Sequence, residues 1–99
     1  MIYSGLAKSL RAFANKGMAE VYFSERNYTK ALGLLNEAEI LSTEIGDLVL
    51  NEGIFEEKAK NYLALNEFEN YKIYNHKFQK ITFERNQNEQ QSIRKSIDY

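Results

Sequence analysis

The chain contains no cysteine, no proline and no tryptophan, and only one histidine. Without cysteine there is no disulfide, no thiolate metal site and no cysteine nucleophile. One histidine and no thiol leave only carboxylates as metal ligands, and no calcium-type acidic loop occurs. The glycines, Gly5, Gly17, Gly33, Gly46 and Gly53, stand apart from one another, so there is no glycine-rich phosphate loop. No apolar run approaches the roughly 18–20 residues that span a bilayer. Met1-Ile2-Tyr3-Ser4-Gly5 lacks the basic and apolar regions of a secretory signal. The net charge of −1 gives no global pull toward nucleic acid or a membrane. It is unevenly spread, at −4 over residues 1–70 and +3 over residues 71–99, and the basic tail is too weak to argue nucleic-acid binding.

What is present is ordinary for a folded soluble chain. Of 99 residues, 43% are hydrophobic and 27% charged. Seven Tyr and six Phe supply enough bulky apolar groups to offset the entropy of ordering a small domain. Helices joined by short turns fit the missing proline better than many strands with tight turns.

Apolar residues recur at steps of three and four, the period of an amphipathic helix. Leu6, Leu10, Phe13, Ala14, Met18, Val21 and Tyr22 predict a first helix over about 4–25 with that stripe as its packing face. Ala31, Leu34, Leu35, Ala38 and Leu41 predict a second over 28–44, capped near Asn27 and closed at Gly46. Asp47 suits the N-cap of a third over 48–65, with Leu48, Ile54, Phe55, Ala59, Tyr62 and Leu63 on its buried side. Tyr71, Tyr74, Phe78 and Ile81 mark a fourth over 68–83. Gly17, Gly33 and Gly53, inside these helices, predict close helix approach at some cost in propensity. After Phe83 the sequence is polar on every face until Ile93 and Ile97, so residues 84–99 read as a polar helical tail or linker.

A shift of 40 residues superimposes Ala19 on Ala59, Tyr22 on Tyr62, Phe23 on Leu63, Tyr28 on Phe68, Leu34 on Tyr74 and Leu41 on Ile81. Random helices share a period but not these small and aromatic identities. Short connections make consecutive helices antiparallel neighbours. With Met18-Ala19 and Tyr22 in a first helix and Ala31, Leu35 and Ala38 in a second, the chain resembles the tetratricopeptide (TPR) repeat family. The first repeat, roughly 12–45, matches well. The second, roughly 52–85, departs where Tyr71, Asn75 and Phe78 replace a small–large–small pattern, as a terminal repeat does. Glu44-Ile45-Gly46-Asp47, Asn66-Glu67-Phe68-Glu69 and the segment from Phe83 to Tyr99 are similar to the sensory regions of bacterial, Bacteroidetes-type, two-component histidine kinases or helix-turn-helix regulators.

The resemblance implies an all-α fragment of a right-handed α–α superhelix, about two repeats long. It also implies a protein- or peptide-binding scaffold, non-enzymatic and without cofactor, within a longer signal-transduction protein. The compartment, cytoplasmic or periplasmic, stays open. The concave groove of such repeats would be lined by Phe13, Lys16, Glu20 and Phe23 from one helix and by Gly53, Glu56, Lys60 and Leu63 from the other. Some family members grip a C-terminal carboxylate with Lys and Asn at the positions of Lys16 and Glu20; Glu20 would repel that anion. Alternating signs predict cross-helix pairs, Lys16 with Glu56 and Glu20 with Lys60. Tyr71, Tyr74 and Phe78 predict an aromatic face for self-association. A stand-alone helical dimerisation module, with residues 84–99 as the dimer helix, is the alternative.

No catalytic constellation is present. His76 reads as an exposed helix histidine beside Asn75 and Lys77. Glu56-Glu57 point about 100° apart on a helix and Glu37 and Glu39 fare no better, so neither pair is an acid–base couple.

Overall fold

The computed structural model describes residues 2–97, with side chains between residues 5 and 88. Four helices follow one another: α1 (Ile2–Ser24), α2 (Tyr28–Ile45), α3 (Leu48–Ala64) and α4 (Phe68–Ile97), with no strand among the described residues. α1 packs chiefly along α2 and α3 along α4; α2 joins the two pairs through α3, and α1 meets α3 over a shorter stretch. The first three helices lie within two residues of their predicted limits. α4 passes Phe83 without a break, and the polar stretch begins as part of the packed helix. Thr82 donates a 2.7 Å hydrogen bond to Glu52 of α3, and Arg85 bonds the other oxygen of the same carboxylate. Ile93 and Ile97, read as a renewed apolar stripe, lie outside the described side chains.

Local chemistry sets the helix ends. The Asn27 side chain accepts from the Lys30 amide and Asp47 from the Leu50 amide, at 3.4 and 3.0 Å, so each satisfies a donor that the first turn leaves unpaired. Gly46 takes the left-handed conformation, φ 78°, and its amide returns to the Ser42 carbonyl. The α1–α2 and α3–α4 turns repeat each other 40 residues apart. Asn27 N–H bonds Tyr22 C=O at 2.8 Å, and Glu67 N–H bonds Tyr62 C=O at 2.9 Å. Arg26 N–H meets Phe23 C=O as Asn66 N–H meets Leu63 C=O, both at 3.0 Å. The internal repeat seen in the side chains is therefore also a repeat of backbone geometry.

The core is built largely from alanine. Ala12, Ala19, Ala31 and Ala38 are fully buried and cluster with Leu35, Leu50 and Ile54. Small side chains let helix backbones approach, and Leu35 and Ile54 fill what remains, each contributing about 1.5–3 kcal/mol through burial. α2 buries the stripe read from its sequence, with Ala31, Leu35 and Ala38 inside and Leu34 and Leu41 against the cluster.

α1 does not follow its sequence reading. It buries Ala12, Asn15 and Ala19, with Tyr22 beside them, and turns its large apolar stripe outward. Leu6, Leu10, Phe13, Met18 and Val21 are between 47 and 68% exposed. At 100° per residue the two sets lie on opposite sides of the helix, with Met18 at the border between them. The narrow interface with α2 admits only small side chains, which excludes the bulky stripe from it. In α3, Leu48 and Leu63 are likewise exposed, while Leu50, Glu57, Lys58 and Asn61 are buried. Of the four glycines inside helices, Gly5, Gly17, Gly33 and Gly53, only Gly53 marks a close approach: a Cβ there would lie 2.5 Å from Lys16 Cε. A Cβ at Gly17 or Gly33 would meet nothing within 4 Å.

Candidate functional site

Two features concentrate the chain's chemistry: a groove between α1 and α3 continuous with the outward face of α1, and a polar cluster joining α2, α3 and α4.

The groove begins where the small residue Gly53 lets the Lys16 side chain lie across α3. Leu10, Phe13, Val49 and Leu50 form its apolar walls, with Ser9, Lys16, Asp47 and Glu52 around them, and it encloses about 440 Å³. Phe13 stands 68% exposed at its mouth. Of the predicted groove residues, Phe13 and Lys16 line this open half. Phe23 and Lys60 lie further along, where the Lys60 ammonium sits 4.6 Å from the Phe23 ring centroid and Phe23 packs on Tyr28 at 5.5 Å. Glu56 and Leu63 are exposed on α3.

The predicted cross-helix ion pairs do not form. Lys16 pairs with Glu20 at 2.7 Å and Lys60 with Glu57 at 3.0 Å, each one turn away on its own helix. A partner at i+4 or i−3 is already in reach, so a lysine orders fewer torsions to meet it than to span two helices. Lys16 and Lys60 are thus neutralised within their own helices, and Glu56 is left exposed without an ion pair among the described residues.

The face continuing from the groove comprises Leu6, Leu10, Phe13, Ala14, Gly17 and Val21, with Met18 at its edge. The charges flanking it are spoken for. Lys8 pairs with Glu44 at 2.9 Å and Arg11 with Glu37 on the α2 side, while Lys16–Glu20 closes the α3 side. What α1 presents outward along its length is apolar and uncharged.

The proposed aromatic self-association face lies elsewhere. Tyr71, Tyr74 and Phe78 are each half-buried. Tyr74 packs on Phe55 and Tyr62, with centroids 5.9 and 5.7 Å away, and its hydroxyl enters the polar cluster. Lys58, 3% exposed, donates to Glu39 at 2.7 Å and to the Tyr74 hydroxyl at 2.9 Å. Lys77 lies 4.8 Å from the Tyr74 ring centroid. Burial raises the Tyr74 phenol above its ordinary range, and the Glu39 charge and hydrogen bond add to this. Burial also raises Tyr62, opposed by the Lys58 charge. Each contact of the cluster is within the chain, and its role is to hold the second helix pair to the first. Hydropathy gave no sign of it, because lysine and glutamate score as solvated wherever they stand.

His76 is exposed, as expected of a helix-surface histidine. Among the described residues no group of three or more His, Asp or Glu is placed to hold a metal ion, and no helix is long and apolar enough to cross a membrane. No protein-family signature, curated protein or solved structure matches the chain.

Proposed function

We propose that this chain is a protein-binding helical-repeat scaffold of tetratricopeptide type, without catalytic activity of its own, and a piece of a longer bacterial signal-transduction protein. The observation that carries the binding role is the outward face of α1, where large apolar side chains stand exposed opposite a buried alanine face. Folding does not require that arrangement, because the core closes without those side chains. An uncharged surface continuous with a 440 Å³ groove suits an amphipathic helical segment with apolar residues at i, i+3, i+4 and i+7. The 40-residue recurrence of the turns supports the repeat reading. The resemblance to bacterial sensory regions supports the signalling context.

The test is to pan a displayed library of helical peptides against the immobilised chain, with Phe13→Glu as counter-selection. Enriched sequences with an apolar i, i+3/i+4 pattern that fail to bind the variant support this function. No enrichment, or enrichment indifferent to Phe13, contradicts it.

A further inference from the structure

The outward face of α1 has an internal symmetry. Its middle is small, with Ala14 and Gly17 both exposed. Phe13 and Leu10 lie on one side of that middle; Met18 and Val21 lie on the other. About a point midway between residues 14 and 17, Ala14 mirrors Gly17, Phe13 mirrors Met18 and Leu10 mirrors Val21. Leu6 mirrors residue 25, where Met18, Val21, Tyr22 and Glu25 enclose a cleft of about 300 Å³.

We propose that α1 pairs with α1 of a second copy of this chain, antiparallel about a two-fold axis at Ala14 and Gly17. This rests on the reading of that face as a protein-binding surface and names its partner. At the crossing the two backbones approach closely, because neither Ala14 nor Gly17 carries a bulky side chain, and a Cβ at Gly17 has nothing of its own chain within 4 Å. Leu10 then covers Val21 of the second copy, while Phe13 meets Phe13 on one flank of the crossing and Met18 meets Met18 on the other. Leu6 reaches the cleft bounded by Met18, Val21, Tyr22 and Glu25.

Three further observations favour a second copy over another occupant. Within α1 the flanking charges are paired, and Glu25 stands just past the helix at the edge of the cleft, so a partner must be neutral along most of the face, as the same face of another copy is. The exposed side chains offer on the order of 500 Å² per copy, so a symmetric pair buries about 1,000 Å², the threshold of specific association. Finally, the described part of α4 offers no apolar stripe on which α1 could stack head to tail. Its exposed Phe68, Ile73 and Phe83 are five and ten positions apart, scattered among Glu69, Lys72, Lys77, Lys80 and Glu84. An isologous contact therefore closes at two copies instead of propagating.

Gly17→Leu separates a specific crossing from general stickiness. The substitution adds apolar surface and helix propensity, and the site has room for it within the monomer. Sedimentation equilibrium of the unmodified chain should show concentration-dependent doubling of the 11.6 kDa mass. Gly17→Leu should weaken that association at least tenfold while keeping full helicity. Because the chain has no cysteine, an oxidised mixture of Ala14→Cys and Gly17→Cys chains should cross-link, whereas Ile73→Cys, at a similarly exposed position, should not. An unmodified chain that stays at 11.6 kDa into the high-micromolar range overturns the proposal, as does unchanged or stronger association of Gly17→Leu. If such a monomer still binds the selected helical peptides through Phe13, self-pairing fails and the protein-binding reading stands. If the peptides fail while the crossing forms, the reverse holds.

Discussion

Arg26 and Asn66, 40 positions apart, close their turns in the same left-handed backbone conformation, with φ of 63° and 61°. Neither is glycine, so each turn carries the cost of a Cβ in that region. Arginine tolerates it less well than asparagine. Arg26→Gly should therefore raise stability by about 1 kcal/mol and Asn66→Gly by less, both read from urea midpoints. A larger gain at Asn66 would contradict the equivalence of the two turns.

The buried Lys58 supplies a second prediction. Glu39→Ala leaves its ammonium with only the Tyr74 hydroxyl and should cost about 3 kcal/mol. Removing both charges in Glu39→Ala/Lys58→Met should recover much of that loss, since methionine fills the space without requiring a counter-charge. A double variant as unstable as the single would show that the pair itself, not the uncompensated charge, holds α2 to α3.

Alkaline pH probes the same cluster. Tyr74 and Tyr62 are raised above 10.0 in the fold, so each favours the folded state only while its phenol is neutral. That contribution is fully present below the unfolded value and is lost as pH rises through the raised folded values. Thermal midpoints should fall above pH 10, and Tyr74→Phe should flatten the fall. An unchanged slope in Tyr74→Phe would place the alkaline sensitivity elsewhere.

The polar part of α4 is tested by Arg85→Ala. Arg85 and Thr82 share the carboxylate of Glu52, which is mostly buried. Loss of the charged contact should cost about 1–2 kcal/mol by urea unfolding. A change below ~0.3 kcal/mol would show that packing ends at Phe83, where the sequence turns polar.

Much of this fold was legible in the sequence, for reasons that differ by element. Asn27, Gly46 and Asp47 gave the helix ends because capping is local chemistry. The recurrence of Ala19 at Ala59 and Tyr22 at Tyr62 marked the two similar turns. The packing side of α1 was misread because periodicity locates an apolar face without saying what that face touches. Ala19 and Ala59, both buried, held the correcting signal: the repeated small residue, not the large stripe, marks the inward side. The Lys58 cluster was illegible, since its charges become internal only when α2, α3 and α4 converge.

The outward face of α1 is assigned to binding and not to folding. The most direct measurement of that assignment is the affinity of Leu10→Glu/Phe13→Glu for a peptide selected on the unmodified chain, taken with the variant's far-ultraviolet circular dichroism. Affinity should fall at least a hundredfold, about 2.7 kcal/mol, with helicity retained. Undiminished binding, or a variant that no longer folds, would contradict it.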